Sequence, residues 1–225
     1  MFILTAPKVS LCWITPDPLL QIELAGRTCW KSEGKLEPGS DKPFVQMLLR
    51  KGHEAMLEHA SMSLRFICDR GVTHEIVRHR IASYAQESTR YCNYRRGVEF
   101  IIPSWLDLPA GVVSLGNEAT PGSLFRIGNT PVVDDAATKW LADLHHASQT
   151  YQYLLNKGWA PQQARSVLPN ALKTEIVMTA NMREWRHFFA LRCAAAAHPD
   201  MRKVGCMALD IVRQQVPILF DEYVK

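Results

Sequence analysis

Between Met62 and Cys68 apolar and more polar residues alternate, with Met62, Leu64, Phe66 and Cys68 on one side, and this two-residue period predicts a half-buried strand. Val98, Phe100 and Ile102 repeat the period up to Pro103, as do Thr174, Ile176, Met178 and Ala180 up to Asn181, and Lys8 to Ile14 reads as a further strand. Elsewhere the apolar spacing is helical. Asp17-Pro18 opens a helix expected to bury Leu20 and Leu24, and Pro43 to Lys51 forms another that Gly52 stops. The longest helix opens at Thr130-Pro131, carries Ala137, Trp140, Leu141, Leu144, Ala147, Tyr151 and Leu154 on one stripe, and closes at Gly158. Asn181 caps a further helix with Glu184 completing a capping box, and Pro199 begins the last, with Met201, Val204, Ala208, Ile211 and Val212 inward as far as Pro217. Asp107 to Asn129, rich in Gly, Pro, Ser and Thr, reads as a surface excursion. The sum is a mixed α/β (α+β) chain of 225 residues, 47% hydrophobic, without a linker that would part it into halves, so residues 1–225 are expected to form one domain.

Between the strands at 62–68 and 98–102 lies the segment with the most chemistry. Asp69-Arg70-Gly71 reads as a turn and Thr73 as a helix cap, with Val72 and Val77 clasping the first turn and Val72, Ile76, Val77 and Ile81 forming a buried face. The opposite face carries His74, Glu75, Arg78 and His79, with Glu75 spaced to hold both Arg78 and His79 by charge. Past Ser83 the helical pattern fades, and Gln86 to Arg90 is expected to be a loop whose amides and Ser88 hydroxyl join the arginines around a phosphate. Arg78, Arg80 and Arg90 lie within fourteen residues, a density that calls for an anionic ligand because a guanidinium fork matches phosphate or imide oxygens. A solvated basic helix end is the plainer alternative. The cap at Asn181 presents Arg183 and His187 on neighbouring turns, suited to a nucleotide's phosphates or adenine, although an ordinary surface helix would look the same.

Charge and cysteine usage narrow the field. A net charge of +4, spread along the chain, argues against general nucleic-acid binding. No segment is apolar enough to span a bilayer and the first residues lack a secretory pattern, so a cytoplasmic protein is expected. Cys12, Cys29, Cys68, Cys92, Cys193 and Cys206 form no Cys-x-x-Cys pair and are expected to be reduced, with none in a nucleophile motif. The pairs His53/His59 and His145/His146 lack the geometry and acidic partner of a zinc site, so no metal is expected.

Arg78-His79-Arg80, then Ile81 to Glu87, then Ser88, resembles the signature of the flavin-dependent thymidylate synthases. The likeness extends through Ile81-Ala82-Ser83-Tyr84 and Arg90-Tyr91, and, in order along the chain, Gly52-His53-Glu54 with Glu58-His59, Ala164 to Pro169, Asn181-Met182-Arg183-Glu184 and Leu191-Arg192 are similar to the family's other segments. The resemblance implies a mainly antiparallel sheet flanked by helices and a homotetramer whose active sites are shared between subunits, for which the stripes around Trp140 and Ile211 are candidate contacts. It implies FAD as cofactor and reductive methylation of dUMP to dTMP, with methylenetetrahydrofolate as carbon donor and NADPH as reductant. It also implies that no enzyme cysteine takes part as nucleophile.

On the same ground Arg192, assisted by Arg78, is expected to be catalytic, stabilising negative charge on the uracil. Glu75, Arg78, Gln86, Glu87, Ser88, Arg90, Arg165 and Arg192 are expected on dUMP, with Ser88, Arg90 and Arg165 at its phosphate. His53, Glu58, Arg78, His79, Arg80, Ile81, Gln86, Asn181, Arg183 and His187 are expected on FAD. The chain departs from the family's usual pattern at Glu75, where a carboxylate cannot donate to phosphate and so is expected to orient arginines, and at Ala55, Gln86-Glu87 and Ala196. Two competitors differ in class. A nucleotide- or RNA-binding module would hold phosphates without a flavin, and a hydrolase built on His53, Glu54, Glu58 and His59 would lose activity on chelation.

Overall fold

The strands form two sheets in a computed structural model that describes residues 1–116 and 124–223. One sheet comprises β1 (Phe2–Thr5), β5 (Glu99–Ile101), β6 (Gly111–Leu115), β7 (Phe125–Ile127) and β8 (Thr130–Pro131), ordered β5-β1-β6-β7-β8. In it β1 runs parallel to β5, and the β1-β6, β6-β7 and β7-β8 pairs are antiparallel. The other comprises β2 (Lys8–Ile14), β3 (Ser61–Asp69), β4 (Ala82–Gln86) and β9 (Lys173–Asn181), ordered β2-β3-β9-β4. The mixed α/β class and helices flanking sheets thus match expectation. The chain divides into two compact units, the first of residues 1–7, 67–74 and 86–175, the second of residues 8–66, 75–85 and 176–225.

In the first unit Phe2, Leu4, Phe100, Val113, Phe125 and Ile127 pack with Leu141, Leu144, Tyr151 and Leu155 of α4 (Asp135–Asn156) in one buried cluster. The stretch read as a surface excursion therefore contributes β6 and β7 to a sheet; part of it, 117–123, lies outside the described residues. Of these, β6 pairs with β1 and β7 with β6, and no short window of sequence reports a pairing such as that of β1 with β6 across about a hundred residues. The long helix begins five residues later than expected: Asp134 accepts from the Ala137 amide at 2.6 Å, while Thr130-Pro131 forms β8 at the sheet edge, where proline's missing N–H costs no ladder bond. Gly158, at φ +88°, ends it as expected, and α5 (Pro161–Ala164) and a 3-10 turn at Arg165–Val167 follow.

In the second unit α1 (Pro18–Trp30) buries Ile22, Glu23, Gly26 and Arg27, whereas Leu24 is exposed and Leu20 only partly buried. The expected face is wrong because the buried one contains an ion pair: Arg27 Nε donates to Glu23 at 2.8 Å, and the Ser40 hydroxyl donates to the same carboxylate at 2.7 Å. An apolar count cannot see a buried charge that is paired. Next, α2 (Asp41–Arg50) takes in Pro43 within its first turn, where no intrahelical N–H bond is lost. The faces predicted for β3 and β9 are buried as read, with Met62, Leu64, Phe66, Thr174, Ile176 and Met178 all at 0% exposure. From α6 (Met182–Arg192), Trp185 stacks on Phe66 and Phe189, and Phe189 meets Phe220 edge-on. The Trp185 indole N–H is satisfied by the Met62 carbonyl at 3.1 Å. The last long helix, α7 (Pro199–Gln215), buries Met201, Val204, Gly205, Ala208, Leu209 and Val212, with Ile211 only partly covered, and Pro217 opens a short α8 (Pro217–Phe220).

The signature helix differs most from its sequence reading. It is α3 (Arg70–Ile76), started by Asp69, whose Oδ1 accepts from the Val72 amide at 2.7 Å; Thr73 lies inside it, its hydroxyl donating to the Arg70 carbonyl. Val72 and Ile76 are buried as expected, but Val77 is 39% and Ile81 70% exposed, because the helix ends at Ile76 and the chain turns into β4. The Tyr84 hydroxyl lies 2.9 Å from the Ile76 carbonyl and 2.6 Å from that of His79, providing a donor for carbonyls that a continued helix would have satisfied. The strands β3 and β4 on either side of Arg78-His79-Arg80 belong to one sheet, so these residues lie on a connection between its strands, whereas β5, beyond the signature, belongs to the other sheet.

Candidate active site

His79 is buried at 3% exposure and both its ring nitrogens are engaged. Arg192 Nε lies 3.1 Å from His79 Nε2, and Glu184 Oε1 lies 3.0 Å from His79 Nδ1. A guanidinium can only donate, so Nε2 accepts and the ring proton sits on Nδ1, donating to Glu184. The imidazole is therefore neutral, and burial is the largest influence holding its pKa below the usual histidine value, with Glu184 opposing it. Arg192 continues the chain of bonds: Nη1 donates to Glu75 Oε2 at 2.8 Å and Nη2 to the Glu75 carbonyl oxygen at 2.9 Å. Among the described residues three of its five N–H bonds are thus taken, which leaves two that a ligand could meet.

Glu75 does orient an arginine, as its carboxylate chemistry led us to expect, but the partner is Arg192 and not Arg78 or His79. Helical spacing suggested the wrong pair because α3 stops one residue beyond Glu75. Arg78 and Arg80 are exposed. Asn181 caps α6 by accepting from the Glu184 amide at 2.8 Å, while the Glu184 carboxylate goes to His79, so only that half of the expected box is made. Sequence reasoning saw Glu184 only as a cap; the signal it lacked was a buried histidine 105 residues away.

Beside this network is a cleft of about 470 Å³ lined by Glu54, Glu58, Ile81, Asn181, Arg183, Glu184, Arg186, His187, Ala190 and Tyr223. Five residues expected on FAD, Glu58, Ile81, Asn181, Arg183 and His187, meet here. Arg183 pairs with Glu58 at 2.6 Å in the open, whereas Arg186, unremarked in the sequence, is buried and donates to the Leu219 carbonyl at 2.6 Å and to Glu54 at 3.3 Å. His53 is exposed against Trp30, ring centres 5.9 Å apart. A larger cavity of about 810 Å³, lined from Asp17 to Lys42 and Gln215 to Asp221, contains none of the expected site residues. Among the described residues, the three side chains able to share a metal are His79, Glu184 and His187, with ligand atoms within 4.8 Å. Neither histidine pair considered from the sequence contributes a residue to that group.

The first unit holds the second set. The Ser88 carbonyl accepts from the amides of Tyr91 and Cys92, and its hydroxyl from the Arg90 amide at 3.3 Å, forming a tight turn. Arg165 Nη1 donates to the buried Thr89 hydroxyl at 2.8 Å, which fixes this second arginine to the same turn; Thr89 was not singled out from sequence. Arg90 is exposed along the ring of Tyr91. Gln86 donates to the hydroxyls of Thr73 and Thr174, and Glu87 takes the Tyr94 hydroxyl at 2.9 Å with Lys173 at 3.6 Å. Both side chains are therefore tied inside the fold. Ser88, Arg90 and Arg165 form a cationic turn with a hydroxyl, a suitable receptor for a phosphate.

The sequence profile of a family described as thymidylate synthase complementing protein (Thy1) matches residues 10–218. The chain belongs to this family. A flavin-dependent thymidylate synthase of Geobacter sulfurreducens is 34% identical over 222 residues, covering 96% of this chain and 86% of the relative. That of Corynebacterium aurimucosum is also 34% identical, over 205 residues, covering 90% and 78%. Among solved structures, a UMP/dUMP methylase from Streptomyces cacaoi bound with 5-Br dUMP superposes with a TM-score of 0.75 at 25% identity, covering 97% of this chain and 95% of that one. Thy1 membership makes the protein a FAD-dependent methyltransferase, in agreement with the resemblance of its arginine signature.

The residues at the cleft fit part of a flavin dinucleotide. Ile81 offers exposed apolar surface, Arg183 and His187 offer exposed polar groups, and the volume lies within the range of roughly 300–1,000 Å³ usual for small-molecule sites. The Arg183–Glu58 pair is solvent-exposed, and such pairs are weak enough to be exchanged for a ligand phosphate. Among the described residues no helix is long and apolar enough to cross a membrane.

Proposed function

We propose that this Thy1 chain, acting as a single domain of residues 1–225 within a cytoplasmic homotetramer that shares active sites between subunits, converts dUMP to dTMP. Methylenetetrahydrofolate is the carbon donor and NADPH the reductant. The observation that supports this reading most directly is Arg192, held on three sides by His79 and Glu75 with two N–H bonds remaining. Donors of that kind match the carbonyl oxygens of a uracil imide and steady the negative charge that builds on them when carbon 5 acts as nucleophile. Because the guanidinium is already fixed, no reorganisation is required as the charge develops. Arg78, exposed on the segment that carries His79, assists.

Ser88, Arg90 and Arg165, with the amides of their turn, take the dUMP phosphate and so fix the orientation of the base. Asn181, Arg183, His187, Glu58 and Ile81, with His53, Arg78, His79, Arg80 and Gln86, form the flavin side. Bound FAD supplies the hydride chemistry, and the protein contributes orientation and charge. No cysteine is assigned as nucleophile, since none stands in a nucleophile motif; for Cys68, burial also raises the thiol pKa far above the usual range.

The test is direct. Purified protein should be yellow, lose its visible absorbance when NADPH is added without oxygen, and form dTMP from dUMP and methylenetetrahydrofolate. A colourless protein that takes up no added FAD and forms no dTMP with every co-substrate present overturns the reading.

A further inference from the structure

We infer that Glu184 is a positioning residue for the reaction: by accepting the Nδ1 proton of His79 it selects the imidazole tautomer whose Nε2 can receive Arg192, and so sets the angle at which the guanidinium meets its substrate. This deepens the proposed function and rests on its assignment of Arg192 to the uracil.

Arg192 Nε carries one hydrogen and no lone pair available for bonding, so the 3.1 Å contact to His79 exists only while Nε2 is bare. A neutral imidazole places its proton on one nitrogen or the other, and an acceptor at the far nitrogen decides which. Glu184 Oε1 is that acceptor, at 3.0 Å from Nδ1. Its side chain is only 8% exposed, and its backbone is held by the Asn181 cap, so the carboxylate has little freedom to move away. Glu75 then bonds Arg192 from the opposite side through both a carboxylate oxygen and its carbonyl. If the proton moved to Nε2, two N–H donors would face each other and the guanidinium would be pushed off its seat, as it would be if His79 became a cation beside Arg192. The groups that face His79 are Glu184, His187 and Arg192 from α6, with Phe188 packed on the ring at 4.9 Å and the Tyr84 hydroxyl on its carbonyl. Among these, Glu184 is the acceptor placed at hydrogen-bond distance from Nδ1. The same division of labour, in which a carboxylate fixes a histidine's tautomer so that its other nitrogen can act, is general in catalytic sites.

Glu184→Gln keeps the shape but lets the amide present N–H to Nδ1, which stabilises the wrong tautomer. In the FAD-loaded full-length enzyme we expect kcat for dTMP formation to fall on the order of 100-fold, the loss typical of a reacting group misplaced by about an ångström. Flavin content and the thermal midpoint should change little. Because the carboxylate raises the His79 pKa, its removal should also move the acid limb of the kcat profile to lower pH. Nitrogen-15 spectra of the histidines should show His79 protonated at Nδ1 in the wild type and at Nε2 in the variant. His79→Gln, whose amide oxygen can accept from Arg192 without titrating, should retain more turnover than His79→Ala and lose the acid limb; this pair tests the proposal if Glu184→Gln does not fold. Arg192→Ala is measured in parallel. If Arg192→Ala turns over normally, the assignment of Arg192 is wrong, whatever Glu184 does. If Arg192→Ala is inactive while Glu184→Gln keeps wild-type kcat, pH profile and tautomer, the positioning role is overturned and the assignment of Arg192 stands.

Discussion

Gly205 of α7 lies so close to the end of α6 that a Cβ on it would sit 3.1 Å from the carbonyl oxygen of Arg192 and 3.4 Å from its Cβ. The helix seat of the arginine is thus set by a residue with no side chain. Its backbone is not in the left-handed region, so a larger residue meets a steric limit and not a torsional one.

Gly205→Ala should therefore separate activity from stability. Alanine in a helix interior gains about 1 kcal/mol over glycine, and crowding of a packed contact costs about 1–3 kcal/mol, so the net loss of stability is about 0–2 kcal/mol. A displacement of a few tenths of an ångström falls directly on Arg192, and kcat should drop severalfold to about tenfold. Steady-state kinetics beside a thermal melt checks this, and an unchanged kcat contradicts it.

Arg192→Ala should abolish dTMP formation and keep most of the bound flavin, whereas Arg90→Ala should retain turnover at saturation and weaken dUMP binding. The second loss, one hydrogen-bonded charge at a phosphate, is about 1.5–3 kcal/mol, or roughly tenfold to somewhat over a hundredfold in Kd. Calorimetric titration with dUMP gives the number. Equal, small effects from both substitutions contradict the roles assigned to them.

For pH dependence, His79 is neutral in the fold and its pKa is held below 6.5, mainly by burial. In the unfolded chain the ring takes up a proton near 6.5, so between that value and the lower folded one the unfolded state binds more protons and stability falls as pH falls. The contribution is complete above about pH 6.5 and is lost on acidification through the window beneath it. Thermal midpoints across that window should fall more steeply for the wild type than for His79→Gln; identical slopes contradict the assignment.

Arg183→Ala should lower FAD affinity while leaving the melting temperature of the flavin-free protein nearly unchanged, because its pair with Glu58 is solvent-exposed. Fluorescence titration with FAD measures the first, and a loss of stability without a loss of affinity contradicts the placement of the cofactor.

Gly26→Ala tests packing away from the chemistry. A Cβ there would lie 2.6 Å from Cε1 of Phe44, whose ring packs against Trp30 and beneath Arg27. Overpacking of this kind costs about 1–3 kcal/mol, readable as a lower urea midpoint at unchanged slope.

The alternation in β3 and β9 and the inner face of α7 could be read from the chain alone, because a local period of two or 3.6 residues is imposed by backbone geometry and each buried apolar group is favourable by itself. The arginine signature and the cap at Asn181 were legible for the same reason: they are contiguous, and their residue types admit few uses. Tertiary structure decided the rest. That α3 stops at Ile76 depends on Tyr84, that β6 is a strand depends on β1, and that α1 buries a charged face depends on Glu23 finding Arg27 and Ser40. The joining of Glu184, His79, Arg192 and Glu75 spans 117 positions of sequence. Hydrogen bonds between side chains so far apart leave no periodic trace, since their geometry exists only once the backbone has brought them together.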